Sequence, residues 1–291
     1  MHEIPHAIRD HFGIQVLNPL GGRLNRHWLV AAGERFVLRR WHGASADVAY
    51  EVALLADVVA LGWPAPIVVA GPIQHAHAWW SLSPYLPGAP ADTSNPAAEQ
   101  RRRGRLLAAF HADTARLTAI DQRPGWRRGE ATLADMSLDA LLAAHERSDP
   151  EEGYQLRWHL EQARAHAATI ALTNRPEQVI HGDFTSWNLH FADGHLSGIL
   201  DFELARVDHR IADFALAWRG TYDDVVHGYT EVTPLEPEEW AALTPLWWAY
   251  LIDGLCGLLR QGRRDDGWTA KMLRRRSPLM GPDALPYPGR P

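Results

Sequence analysis

Asp183 stands two residues after His181 and five before Asn188 in the run HGDFTSWN (181–188), and Asp201 follows in ILDFE (199–203). Together they offer two carboxylates and one amide, each presenting hard oxygen donors. A carboxylate can accept the proton of an attacking hydroxyl. A carboxylate and an amide oxygen can share a Mg²⁺ ion, which takes oxygen ligands and keeps positions for water or phosphate oxygens. These are the requirements of phosphoryl transfer from a nucleotide, with Asp183 as base and Asn188 and Asp201 as metal ligands. An Asp in a turn or an Asn at a helix cap is the commoner explanation of either residue alone. The joint register of four positions, with a predictable element between them, is what carries the chemistry.

That element is a hairpin. LHF (189–191), a turn ADGH and LSGIL (196–200) read as two short strands that return the chain and deliver Asp201 beside the loop. Upstream, VIHGDF (179–184) passes from strand to loop. The first eighty residues alternate apolar runs with turn signals: HWLVAA (27–32) and RFVLRRW (35–41) form one expected hairpin, and IVVAG (67–71) and HAWWSLSPYL (77–86), joined across Gly71-Pro72, a second. VAYEVALLADVVALG (48–62) has helical spacing. Proline and glycine accumulate in PGAPADTSNP (87–96), a hinge signal, and helices follow at 101–117, 137–147, 153–172 and 244–260. The Arg101–Arg105 cluster reads as a solvated helix face, and 280–291 is too rich in proline to be regular. The expected fold class is α+β, with a small N-terminal antiparallel sheet and one helix (1–86), a hinge (87–96) and a larger, mainly helical part (97–291).

Composition sets the outer limits. Of 291 residues, 46% are hydrophobic and 22% charged, as in folded globular chains, and no apolar run approaches the ~20 residues of a bilayer span. The N-terminal MHEIPHAIRDHF lacks the uninterrupted apolar segment of a secretory signal, and the single Cys256 can form no internal disulfide, so a reducing cytoplasm is expected and a membrane partner is not. Residues 1–85 hold six of the 29 basic and six of the 35 acidic groups, so the net charge of −6 belongs to the remainder. An acidic larger part argues against a nucleic-acid partner and favours a cationic one, although the same charge would serve solubility alone.

HGDF followed by Asn188, with ILDFE after a hairpin, resembles the aminoglycoside phosphotransferase and choline/homoserine kinase-like family, whose members share the two-lobed protein-kinase-like fold. The resemblance is sharp over 179–218. Glu203 matches the residue the family places after Asp-Phe, and VDHRIADFALAW (207–218) resembles its downstream stretch, in which Asp213 would begin a helix and cap backbone N–H groups. It implies ATP or GTP and Mg²⁺ as cofactors and a hydroxyl-bearing small molecule as acceptor. LGGRLNRHW (20–28) is similar to the family's phosphate-covering hairpin, which assigns Gly21, Gly22 and Asn25 to the nucleotide. The family carries a cation on its third strand that reaches the phosphates. Here that position is Arg39, with Glu51 as its expected partner, and Lys271, the one lysine of the chain, lies far from that strand. The nucleotide base would hang from the segment around Ser83 and Tyr85.

The acceptor is less legible. Glu203, Asp223, Asp224 and Trp248 are the candidate acceptor contacts, within a C-terminal third that also holds Trp218, Tyr222, Trp240, Trp247, Tyr250 and Asp253. An aromatic stripe at helical spacing could equally be core. Two alternatives stay open: a nucleotide-binding pseudoenzyme of the same fold, and a metal-dependent phosphatase, which would need further clustered His and Asp ligands.

Overall fold

The computed structural model describes residues 4–22, 25–126, 129–167, 177–218, 220 and 223–276. In chain order its elements are α1 (His6–Phe12), β1 (Gln15–Gly21), β2 (Arg26–Ala32), β3 (Glu34–Trp41), α2 (Ser45–Ala60), β4 (Ala70–His75), β5 (Ala78–Pro84), β6 (Ala89–Pro90), α3 (Pro96–Thr114), α4 (Gly129–Ala134), α5 (Ser137–Ser148) and α6 (Pro150–Ala167). There follow β7 (Glu177–Ile180), β8 (Leu189–Ala192), β9 (His195–Ile199), β10 (Arg206–His209), α7 (Phe214–Ala217), α8 (Val225–Thr230), α9 (Pro237–Arg260) and α10 (Trp268–Arg276).

Contacts divide the chain into two units. Unit 1 comprises Met1–Ala91, Ile120–Pro124 and Trp187–Glu203, and unit 2 the rest. The units therefore interleave along the sequence: a five-residue piece and the β8–β9 hairpin pack with the N-terminal sheet, not with the helices that flank them in the chain.

Unit 1 is built on a five-stranded antiparallel sheet in the order β1-β2-β3-β5-β4. Alternation puts Trp28 and Val30 of β2, Leu38 of β3 and Trp80 and Leu82 of β5 into one core, closed by Ile4, Ile8 and Ile14. Trp28 and Trp80 stack at 5.7 Å between ring centroids. The helix α1 supplies Ile8 to this core, an element the sequence reading did not anticipate. Helix α2 buries Val48, Glu51, Leu54, Leu55 and Val58. A carboxylate on an otherwise apolar stripe must find cationic partners.

The second expected hairpin is present with a different turn. It reverses at Ala76 and His77, both at positive φ, whereas Gly71-Pro72 lies within β4 at a register shift against β5. Gly71 is at φ 85°, and a Cβ there would fall 2.7 Å from the Trp80 carbonyl oxygen. Its glycine marks a close strand approach and not a strand end.

Unit 2 is helical around a two-stranded ribbon of β7 and β10. Helices α3 and α8 meet through two glycines: a Cβ on Gly104 would lie 2.0 Å from Val225 O, and one on Gly228 2.1 Å from Arg101 O. Arg101 and Arg105 reach Glu231 on the surface, but Arg103 is buried, bonded to Glu99 and to the Ala217 carbonyl. The solvated-face reading of 101–105 therefore fails at Arg103. Helix α9 begins seven residues before the expected start and runs through Pro245, with Pro237 at its first turn and a capping box between Glu236 and Glu239. It is long and apolar enough to cross a membrane, yet 67% of its most apolar window is buried inside the protein, as in a core helix. The proline-rich 280–291 lies outside the described residues.

Candidate active site

Strand β7 ends at Ile180, and the chain turns at once through His181-Gly182-Asp183. Gly182 is at φ 82°, and a Cβ would stand 2.5 Å from Leu204 O, so only glycine fits this turn. His181 is fully buried, packed edge-on against Phe184, and its Nδ1 accepts the Asp183 N–H at 3.1 Å. The loop is pinned from below by Asp213. One carboxylate oxygen accepts the His181 N–H at 2.8 Å and lies 3.0 Å from His111 Nε2, and the other accepts the Gly182 N–H at 2.8 Å. Burial alone would raise the Asp213 pKa, but the hydrogen bonds from the His111 side chain and from the His181 N–H hold the carboxyl below its usual range. Asp213 thus begins α7 and binds backbone N–H groups, as expected, but those of the loop that presents Asp183 and not those of its own helix. The side chain of Asp183 remains partly exposed.

Asn188 closes a short 3-10 turn (Ser186–Asn188) and belongs to unit 1 with the hairpin that follows. Asp193 and Gly194, at φ 49° and 79°, form the tight turn between β8 and β9. Leu189 pairs with Ile199, and Leu200 N–H donates to Asn188 O at 2.8 Å, so the pairing sets Asn188 and Asp201 at the same open end of the hairpin. Asp201 sits at φ 64°, a left-handed conformation uncommon for a non-glycine residue.

Glu203 completes the segment. Its carboxyl accepts a 2.6 Å hydrogen bond from Asn25 Nδ2, and Asn25 Oδ1 in turn accepts the His42 N–H at 2.9 Å. Asn25 therefore anchors the exit of the Gly21-Gly22 turn, where Gly22, at φ 116°, would place a Cβ 2.0 Å from Asn25 O. Burial first, then the charges of Asp201 and Glu51, push the Glu203 carboxyl up to about 7 against the opposing Arg39. A raised folded pKa means that stability present below the unfolded value of 4.5 is lost as pH rises through 7. In metal-free buffer Glu203→Gln is expected to gain on the wild type over that window by about 1–2 kcal/mol, after discounting for solvent screening. Thermal midpoints of the two proteins that run parallel from pH 4.5 to 8 would contradict this.

Arg39 is 8% exposed on β3, and its NH1 donates to Glu51 Oε1 at 2.5 Å while the guanidinium lies 3.6 Å over the Trp41 ring. Its Nε and NH2 are buried without a hydrogen-bond partner among the described residues. His27, paired with Arg39 across β2 and β3, is pushed down to about 4 by burial and by the Arg39 charge. It is neutral at ordinary pH. The second oxygen of Glu51 accepts from Arg123 NH2 at 3.1 Å. Arg123 also donates to Asp47 at 2.6 Å and to the Phe202 carbonyl at 2.9 Å. Arg123 carries no signal in the sequence, because nothing in DQRPGW marks a residue whose partners lie 72, 76 and 79 positions away.

Other candidates are engaged elsewhere. Ser83 Oγ donates to Pro66 O, and the Tyr85 N–H donates to Arg35 O. Trp248 is fully buried, edge-on to His159 at 5.0 Å, and is core, not acceptor contact. Asp223 caps α8 through the Val225 N–H and faces the buried Arg103, and Asp224 pairs with Arg101 at 3.2 Å. Both act as structural carboxylates. Tyr222 lies outside the described residues. Among the described residues no group of three or more His, Cys, Asp or Glu is placed to hold a metal ion, and the clustered ligands a metal-dependent phosphatase needs are not found among them.

Known proteins bear directly on this arrangement. The chain matches the phosphotransferase enzyme family over residues 16–246. It is similar in structure to an aminoglycoside phosphotransferase from Alicyclobacillus acidocaldarius (17% identity, 94% of this chain and 92% of that one, TM-score 0.63). It is likewise similar to a thermostable mutant of aminoglycoside phosphotransferase APH(4)-Ia in ternary complex with ADP and hygromycin B (17% identity, 91% and 95% covered, TM-score 0.66). A third similar structure is the GDP complex of aminoglycoside 2'-phosphotransferase-IIIa (18% identity, 92% and 94% covered, TM-score 0.66). No curated protein sequence matches. These structures share the kinase-like fold, and with the family match spanning most of its length the chain belongs to the phosphotransferase enzyme family.

Proposed function

We propose that this protein moves the γ-phosphoryl group of ATP or GTP to a hydroxyl of a small, cationic molecule, with Mg²⁺ as the metal. The observation that carries the nucleotide part is Arg39. A buried guanidinium that meets Glu51 with one nitrogen leaves the other two nitrogens unmet among the described residues, and phosphate oxygens match its planar fork. The donors for Mg²⁺ fit as well. One carboxylate (Asp201) and one amide (Asn188) at the open end of a hairpin make an incomplete oxygen set, suited to an ion that also takes phosphate oxygens and water. Bound there, the metal would neutralise charge on the transferring phosphates.

The chain's own groups do the rest. Gly21 and Gly22 allow backbone to approach phosphate closely, with Asn25 fixing the turn. Asp183, on a loop held by Asp213, takes the proton from the acceptor hydroxyl. The acidic balance of residues 86–291 favours a cationic acceptor, and the structurally similar enzymes crystallised with hygromycin B and kanamycin are aminoglycoside phosphotransferases.

Incubation with MgATP or MgGTP and a panel of aminoglycosides, amino alcohols and sugars, followed by mass spectrometry, is expected to show an acceptor heavier by one phosphoryl group. A protein that binds neither nucleotide in the presence of Mg²⁺ would remove the basis of the proposal.

A further inference from the structure

Glu51 is 1% exposed and sits on the buried stripe of α2, yet it carries two arginines, one on each oxygen. The second of them, Arg123, also pairs with Asp47, so that two arginines and two carboxylates balance. Arg123 arrives on Ile120–Pro124, a piece of unit 1 whose neighbours in sequence on both sides belong to unit 2. Its side chain is 1% exposed. Its nitrogens reach three acceptors on two separate segments: Asp47 and Glu51 on α2, and the carbonyl of Phe202 between Asp201 and Glu203. Burial would lower its pKa, but the Asp47 and Glu51 carboxylates outweigh that and hold it above its ordinary value, so it is charged throughout the working range.

We propose that Arg123 is a positioning residue for the metal part of the nucleotide site: by bonding Asp47 and Glu51 on α2 and the Phe202 carbonyl, it holds the Asp201–Glu203 segment in register with α2. The inference rests on the nucleotide reading above. It accounts for features that reading leaves aside, namely the two-cation pairing of a single buried carboxylate and a short segment that joins unit 1 apart from its sequence neighbours. Three acceptors in different directions call for a planar fork with several donors. A lysine ammonium can keep the charge but not that reach.

The test uses the full chain and a nonhydrolysable ATP analogue titrated calorimetrically with and without Mg²⁺, alongside the Mg²⁺ concentration that half-saturates binding. Arg123→Ala is expected to weaken Mg²⁺-dependent binding and raise the Mg²⁺ half-saturation by about 10–100-fold, the range for residues that orient metal ligands. Arg123→Lys, which keeps the charge and so folds more readily, should lose about 3–10-fold of the same two quantities. Asp47→Asn, which removes only the outer acceptor, should stay within about threefold.

Arg123→Lys equal to wild type, or Asp47→Asn as damaging as Arg123→Ala, overturns the assignment. So does Mg²⁺-free affinity falling in step with Mg²⁺-dependent affinity, since a general loss of fold would do that. Arg39→Ala separates the two levels: if it binds as wild type does, the nucleotide reading itself falls. If it loses affinity while both Arg123 variants keep theirs, only the positioning role falls.

Discussion

Asp183→Asn is expected to lower phosphoryl transfer by about 10²–10⁴-fold while nucleotide affinity stays within a few-fold, the signature of a lost general base. Asparagine keeps the shape of the side chain and removes its ability to take a proton. The loop should survive the change, because what holds it is the Asp213 carboxylate on the backbone N–H groups of His181 and Gly182, and the His181 Nδ1 on the Asp183 N–H. None of these bonds uses the Asp183 carboxylate. The residues assigned to the nucleotide and the metal, Arg39, Glu51, Asn188 and Asp201, lie in unit 1, whereas Asp183 lies in unit 2, which is why binding and chemistry should separate. Single-turnover transfer measured beside equilibrium nucleotide binding decides the matter. Undiminished transfer by the asparagine protein would refute the role given to Asp183.

Asp201→Ala is expected to abolish the Mg²⁺ dependence of nucleotide binding, leaving at most a weak, metal-independent affinity. One carboxylate and one amide are few ligands, so removing the only charged one leaves Asn188 unable to hold a strongly hydrated dication by itself. The backbone conformation complicates the reading, because Asp201 is left-handed at φ 64° and alanine tolerates that region less well, at roughly 1 kcal/mol. Asp201→Asn is the cleaner companion: asparagine is at home in the left-handed region and keeps an oxygen, yet loses the charge. Both variants are expected to lose the Mg²⁺ effect. Retention of metal-dependent affinity in Asp201→Asn together with loss in Asp201→Ala would show that charge is not what Asp201 contributes. Retention in both would remove it from the metal site.

Much of the local structure was legible in the chain because its causes are local. Alternating apolar residues marked β2 and β3, Asp193-Gly194 marked the β8–β9 turn, and the spacing of 181, 183, 188 and 201 marked the loop and the hairpin that serves it. The errors share one physical origin. Gly71-Pro72 looks like a turn, but its glycine answers to a neighbouring strand, 2.7 Å from where a Cβ would be. Arg103 sits in a run of arginines that reads as solvated, and is buried by Glu99, Asp223 and the Ala217 carbonyl. Trp248 has the chemistry of a ligand platform, and its burial among α6 and α9 side chains makes it core.

The sequence by itself carried residue types and their spacing: two carboxylates and an amide at 183, 188 and 201 of the kinds phosphoryl transfer uses, and a strand arginine and helix glutamate marked by the family resemblance. Tertiary structure alone decided how those groups are held. Asp213 grips the catalytic loop instead of its own helix, Asn25 bonds Glu203 across 178 positions, and Arg123 joins Asp47, Glu51 and Phe202. Spacing is a local property and can be read from neighbours. Charge compensation inside a protein depends on which distant groups share a low-dielectric interior, and only the folded chain brings them together.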